Sequence, residues 1–338
     1  MNRHDNLRPI WFWKSTSINE DNRWETFSDI DNDIIEEAFI RKQDNIEIDE
    51  YLIDLKQYVG NRKNDERNPD VEIKRSLVQN FIRQNRFSFP APALSDPFAQ
   101  CDPQDEFHRE YYEIFPYKDD DQLLELAAQG ILVEGEKLNK TIQATWIADK
   151  LRSLAEYMKN HSSSRGREVE PEKTVQLLLY LYTRDSFLYR AVNQTLRDDD
   201  RTKFNTFGPF CYLMFYFCNP YGLKMCETLL QPFYDDVILY RGCNLTPEQI
   251  QQYRSALNTT KVWHSFASAT KNRQLAEIFG NILFILHVRQ CSRVADISHF
   301  SNFPEEEEVL LPSGTRFKIE KVKRDKDGKF NIYLSISS

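Results

Sequence analysis

Four glutamates stand side by side at Glu305, Glu306, Glu307 and Glu308, between Phe303-Pro304 and the apolar Val309, Leu310, Leu311 and Pro312. The apolar run reads as a strand, so the carboxylates crowd its entrance, where like charges raise one another's free energy and perturb protonation. A solvated acidic loop accounts for a glutamate run taken alone. Two further stretches argue for more: Leu239, Tyr240, Arg241 and Gly242, and Phe266, Ala267, Ser268, Ala269 and Thr270. They supply a planar guanidinium, which forks onto anionic oxygens, and hydroxyls, which hydrogen-bond carboxylates. A surface ion pair for Arg241 and a helix cap for Ser268 are the plain alternatives.

The elements that must position these residues follow from periodicity. From residue 237 the apolar period is two: strands are expected at 237–241, 262–266, 282–288, 308–311, 316–319 and 332–336, with Asp327-Gly328 turning between the last two. Thr246 and Pro247 open a capped helix, and residues 272–279 form another. On a strand, alternation would place Glu306 and Glu308 on one face and Glu305 and Glu307 on the other. Residues 106–235 read as mainly helical, with Asp119, Asp120 and Asp121 ahead of a first helix. Ile142, Trp146, Leu151, Leu154, Ala155 and Met158 follow at spacings of three and four, ending in a loop at 162–166. Residues 175–182 begin another helix, and the aromatics of this lobe read as packing.

Upstream, residues 85–105 are rich in proline and lack periodicity, as a linker would be. Before them lies a small α+β unit. Trp11, Phe12, Trp13 and Trp24 belong to strand-like pieces around a turn-rich segment at 15–22. Asp31 or Asp33 is expected to cap a short helix carrying Ile34, Ile35, Ala38 and Phe39, and strands follow at 46–48, 51–55 and 71–75. The expected organisation is thus 1–84, a linker at 85–105, and 106–338, an α+β protein of two domains.

The whole chain has 338 residues, 41% hydrophobic and 13% aromatic, enough for buried cores, and a net charge of -8. That charge argues against broad attraction to nucleic acid or anionic membrane and leaves proteins and small molecules as expected partners. The first ten residues hold no apolar run of signal length and no later stretch approaches a membrane span, so an intracellular place, cytoplasmic or nuclear, is expected. Six cysteines without a CxxC pair or companion histidine spacing predict reduced thiols and no metal.

The first unit resembles a WWE domain in its aromatic pair, its later Trp24, the Ile-Glu-Glu-Ala-Phe helix from Ile35, the strand from Tyr51 and the closing Ile73, Lys74 and Arg75. The resemblance implies a module that binds ADP-ribose units of poly(ADP-ribose) or a protein. Trp13, Trp24 and Tyr51 would line the pocket and Arg75 would face a phosphate. Gly60 stands where the family's ligand-binding members usually have Gln. Trp11, Trp13 and Trp24 serving only as core is the alternative.

Arg241 at the end of one strand, Ser268-x-Thr270 after a second, and Glu306-x-Glu308 at the head of a third before Val309-Leu310, in that order, resemble the Arg-Ser-Glu clade of arginine-specific mono-ADP-ribosyltransferases. Tyr182-Thr183 with Asn193 and Arg197 resembles that family's helical lobe. The resemblance implies a helical lobe beside a mixed β core, NAD as substrate, no metal, and a protein acceptor with an exposed arginine. Transfer passes through an oxocarbenium-like transition state, which a fixed carboxylate stabilises. Glu308 would hold the ribose 2′-hydroxyl and face that charge, and Glu306 would engage the incoming guanidinium. Arg241 would clamp a phosphate, Ser268 would orient Glu308, and Gly242 would let backbone approach the nicotinamide amide. Ala269 and Thr270 depart from the family's Ser-Thr-Ser. NAD glycohydrolysis, with water as acceptor, and a non-catalytic ADP-ribose reader are the competing functions. Arg241, where a poly(ADP-ribose) polymerase would have His, disfavours chain elongation.

Overall fold

The structure, a computed structural model, describes residues 7–14, 23–63, 70–79, 97–100, 107–116, 119–161, 171–217, 235–289, 294–298, 300–301 and 303–337. The expected turn at 15–22, the loop at 162–166 and most of the expected linker lie outside them.

Among the described residues the first domain is a six-stranded antiparallel sheet packed on one helix. Its strands are β1 (Arg8–Lys14), β2 (Trp24–Thr26), β3 (Asn45–Glu47), β4 (Tyr51–Asp54), β5 (Val59–Arg62) and β6 (Val71–Val78), in the order β2-β1-β6-β5-β4-β3. Helix α1 (Asp29–Ile40) buries Ile30, Ile34, Ile35 and Ala38 against Trp11, Ile53 and Ile73 from the sheet. Its cap is Ser28, whose hydroxyl accepts from the Asp31 amide, so neither Asp31 nor Asp33 caps it as expected. Both carboxylates instead meet the second domain.

That domain opens with helices α2 (Phe107–Ile114), α3 (Asp120–Lys137), α4 (Thr141–His161), α5 (Pro171–Tyr182), α6 (Phe187–Arg197) and α7 (Gly208–Phe217). A sheet follows from β7 (Ala99–Gln100), β8 (Val237–Cys243), β9 (Thr260–Trp263), β10 (Ala267–Thr270), β11 (Ile282–Val288), β12 (Ala295–Asp296), β13 (Glu308–Leu311), β14 (Thr315–Arg324) and β15 (Phe330–Ser337). Their order is β12-β13-β10-β8-β11-β15-β14-β9-β7, and only β11 and β15 run parallel. Helix α8 (Pro247–Ser255) carries a capping box between Thr246 and Gln249, and α9 (Arg273–Glu277) is capped by Asn272.

Both faces of this sheet are covered. Alternation sends Leu239, Ala267, Ala269, Val309 and Leu311 into one apolar cluster, with Tyr253 of α8 and Phe317. Phe266 and Leu310 point the other way, into a cluster continuous with Leu124, Leu151 and Tyr182 of the helices and with Trp11 and Ile35 of the first domain. The described part of the expected linker belongs to the sheet: Ala99 and Gln100 pair with Val262 and Lys261, and Phe98 packs edge-on to Tyr253 at 4.8 Å.

The two domains are joined through carboxylates. Asp49 accepts from the amides of Ile142 (2.7 Å) and Gln143 (3.2 Å) at the start of α4. The Gln143 side chain donates to Asp31 at 2.9 Å and to the Ser28 hydroxyl at 3.1 Å. Tyr180 donates to Asp33 at 2.9 Å, and the buried Arg184 pairs with the same carboxylate at 3.0 Å. Burial pushes Asp31 up to about 6 against the hydrogen bonds from Ser28 and Gln143, and pushes Asp33 up to about 6 against the charge of Arg184.

Candidate active site

The glutamate run does not enter its strand fully extended. Pro304, Glu305 and Glu306 form one 3-10 turn, Glu307 takes a left-handed conformation (φ 45°), and β13 begins at Glu308. Glu306 and Glu308 are buried while Glu305 and Glu307 are not, the pairing expected, but a turn and one left-handed residue produce it where strand alternation was expected. The turn is tied to β10: the Thr270 hydroxyl donates to the Glu306 carbonyl at 2.7 Å and the Lys271 amide to the Glu307 carbonyl at 3.3 Å. Glu308 lies directly across from Thr270, and Ser268 across from Leu310, so Ser268 is diagonal to Glu308 on the same face.

Arg241 reaches this group from β8. That strand pairs with β11 along its length, Arg241 opposite Phe284, but with β10 only at Tyr240 and Thr270. The sheet therefore splits where Arg241 emerges, and its guanidinium bridges the split by donating to the Ser268 carbonyl at 2.5 Å. Gly242 follows because α9 presses on it: a Cβ there would lie 2.0 Å from the Ala276 carbonyl oxygen and 2.6 Å from that of Phe279.

A cleft of about 1530 Å³ opens beside Arg241, lined also by Asn193, Arg197, Ser186 and Phe266. Ser268, Glu306 and Glu308 are buried and are not in its lining. Asn193 donates to the Tyr182 hydroxyl at 2.7 Å, leaving its own Oδ1 buried and unpartnered, as are Arg197 Nε and the Ser186 hydroxyl. Burial holds the Arg197 guanidinium below its usual range; Arg241 pushes the same way, and Tyr189 and Tyr182 oppose it. Two cations and unsatisfied polar atoms converging on one cleft fit a ligand with several anionic and hydroxyl oxygens.

The family model described as NAD:arginine ADP-ribosyltransferase matches residues 116–337, more than half of the chain. The chain belongs to that family. The WWE domain model matches residues 9–75 of the same chain. Among curated proteins, the mouse (Mus musculus) GPI-linked NAD(P)(+)--arginine ADP-ribosyltransferase 1 is 27% identical over 159 residues. The match covers 46% of each protein, so the chain spans about half the length of this relative. Among solved structures, the type III effector XopAI from Xanthomonas axonopodis pv. citri is 16% identical at a TM-score of 0.45, covering 69% of this chain and 96% of the effector. Plx2a, an ADP-ribosyltransferase toxin from Paenibacillus larvae, is also 16% identical, at 0.39, covering 56% of this chain and 97% of the toxin.

The WWE domain distributes its four expected ligand residues over two faces. Trp13 and Tyr51 sit together, ring centroids 6.2 Å apart, and both line the cleft of the transferase domain. Trp24 pairs in register with Lys14 and stands on the opposite face, with the Lys74 ammonium 4.1 Å from its ring centroid. Arg75 shares the Trp11 side of the sheet but is held by Glu36 in a bidentate pair at 2.9 and 2.8 Å. At Gly60 a Cβ would approach Ile73 at 2.9 Å and Tyr51 at 3.4 Å, so the position faces packed side chains.

What sequence reasoning missed in this chain is the far wall of the cleft. Asp31, Glu50, Lys140 and Gln143 come from two domains, and nothing local to α1 shows that its acidic start faces α4 instead of solvent. Among the described residues no cluster of His, Cys, Asp or Glu is placed to hold a metal ion, and no helix is long and apolar enough to cross a membrane.

Proposed function

We propose that this chain transfers ADP-ribose from NAD to the side chain of an arginine in a protein acceptor, releasing nicotinamide. The observation that carries the reading is the selective burial of Glu306 on the turn and Glu308 at the head of β13, out of four consecutive glutamates, beside the split that Arg241 bridges. Bound NAD supplies the glycosidic bond to nicotinamide that is broken. Arg241 and Arg197 would take its phosphates, the Arg241 guanidinium exchanging the neutral Ser268 carbonyl for a charged oxygen, and Asn193 and Ser186 would add hydrogen bonds. Glu308 faces the positive charge that develops on the ribose; Ser268, diagonal to it, orients it. Glu306 receives the acceptor guanidinium and takes its proton. Gly242 keeps β8 close to α9 and the backbone open on its other side.

A poly(ADP-ribose) unit as ligand of the WWE domain is supported by the Trp13 and Tyr51 rings at the cleft, with Trp24 and Arg75 engaged elsewhere. The domain organisation fits a module at 1–84 packed on a transferase from 106 onward, the segment between them contributing β7. An intracellular setting belongs to this reading, in keeping with the free, buried thiols of Cys211 and Cys243.

The test is incubation of the full chain with labelled NAD, with and without polyarginine, for wild type, Glu308→Gln and Glu306→Gln. Label on arginine that vanishes in both variants, with free ADP-ribose still released by Glu306→Gln, supports the assignment. Free ADP-ribose without acceptor labelling in the wild type replaces it with NAD glycohydrolysis. Absence of any turnover, with ADP-ribose bound, leaves a reader.

A further inference from the structure

The turn that carries Glu306 is gripped from two sides, and only one grip belongs to the transferase domain. On the inner side Thr270 and Lys271 hold the carbonyls of Glu306 and Glu307. On the outer side the residue is Arg8, nearly three hundred positions earlier, in β1 of the WWE domain. Its Nη2 donates to the Glu305 carboxylate at 3.3 Å, and its guanidinium lies 4.7 Å from the centroid of the Phe303 ring. Phe303 is buried and its carbonyl accepts from the Glu306 amide, so it is the first residue of the same turn. Arg8 and Glu305 are each about three-quarters buried, at 20% and 24% side-chain exposure, which shields the pair from the screening that makes surface ion pairs weak. Arg8 therefore holds both the start of the turn and its middle.

We propose that Arg8 is a positioning residue for the acceptor step: by fixing the Phe303–Glu305 side of the turn it sets the place of the Glu306 carboxylate, and so couples the WWE domain directly to arginine transfer. Glu308 is held independently, by its pairing with Thr270 in the sheet and by the Ile297 amide that donates to its carbonyl at 3.0 Å. Loosening the outer grip should thus misplace Glu306 more than Glu308. The consequence is a change in partition: arginine transfer suffers while NAD cleavage with water as acceptor continues. This inference rests on the transferase reading above.

The experiment compares full-length wild type, Arg8→Ala, Arg8→Lys and Glu305→Gln in two measurements. Hydrogen–deuterium exchange over 303–308 reads the grip without any activity, and should be faster in Arg8→Ala and close to wild type in Arg8→Lys. With labelled NAD, the ratio of arginine transfer to hydrolysis should fall roughly 5- to 30-fold in Arg8→Ala, as expected for losing one partly buried ion pair and one cation–π contact. The fall should be about 2- to 5-fold in Glu305→Gln, which keeps the ring contact, and the KM for NAD should stay within about twofold. A general loss of folding would lower both activities together and leave the ratio unchanged. Unchanged exchange in Arg8→Ala overturns the proposal whatever the activity. Faster exchange with an unchanged ratio overturns the link to the acceptor step. A wild type that turns over no NAD overturns the transferase reading, and this role with it, even where exchange shows Arg8 holding the turn.

Discussion

The Asp49 carboxylate of the first domain caps a helix of the second, accepting from the Ile142 amide at 2.7 Å. Helix α4 has no capping side chain of its own at Lys140, so Asp49 satisfies two of its orphan amides across the domain boundary. Asp49→Ala should lower the stability of the whole chain by about 1–2 kcal/mol, and Asp49→Asn should recover most of it. Denaturant melts of the three proteins check this; coincident wild-type and Asp49→Ala curves would show that the cap contributes nothing.

The raised carboxyls of Asp31 and Asp33 make stability depend on pH in a specific direction. Between the ordinary aspartate value near ~4 and about 6, the folded chain keeps protons that the unfolded chain has lost. Stability should therefore fall as pH rises through this window and level off above it, by on the order of 2–3 kcal/mol per group at most. Asp31→Asn removes one of the two, so its melting temperature should fall less than that of wild type between pH 4.5 and 7. Parallel curves for the two proteins would refute the assignment to Asp31.

Glu36 is the hub of the first domain's polar core, accepting twice from Arg75 and once from the Trp11 indole at 2.8 Å. Its removal leaves three donors, two on Arg75 and the Trp11 indole, without their partner. Glu36→Ala should cost roughly 2–4 kcal/mol, more than exposed ion pairs such as Arg109 with Glu113. Arg75→Ala should likewise act on stability, leaving binding of ADP-ribose by the folded fraction unchanged. A selective loss of binding at full stability in Arg75→Ala would return that residue to the ligand site.

Gly242 is fixed by its neighbours' backbones. Because a Cβ would collide with the carbonyls of Ala276 and Phe279, which no side-chain rotation relieves, Gly242→Ala should destabilise by about 3 kcal/mol or more. Thermal unfolding measures the effect. A variant as stable as wild type would mean that α9 yields easily.

Most of the fold was legible because its signals are local. The Thr246-Pro247 cap, the Asp327-Gly328 turn and the period-two runs each specify an element from neighbouring residues alone, and each element is present. The local segments around Arg241, Ser268 and Glu308 read as strands and their approaches, but Arg241, expected at a strand end, lies inside β8, and Ser268, expected after a strand at 262–266, lies inside β10; only Glu308 stands at the strand head where it was expected. The long-range relationships were not legible. Ser28 and not Asp31 caps α1 because Asp31 is drawn to Gln143, more than a hundred residues away. Glu306 is turned inward by the left-handed Glu307, a conformation costly for a glutamate and stabilised by what surrounds it, not by its own preference. The Glu36 carboxylate that takes the fork of Arg75, expected to face a phosphate, comes from a different element.

The short pairing of Ala99 and Gln100 with β9 bears on how the second domain can be isolated. Beginning a shortened chain at residue 106 would strip β7 from the end of the nine-stranded sheet and uncover the backbone of β9, together with the face of Tyr253 that Phe98 covers. An unprotected strand edge beside an aromatic surface recruits other chains into extended, self-templating sheets. The few residues from Pro97 to Gln100 thus serve as a guard against aggregation, and a fragment that keeps them should remain monodisperse where the shorter one precipitates.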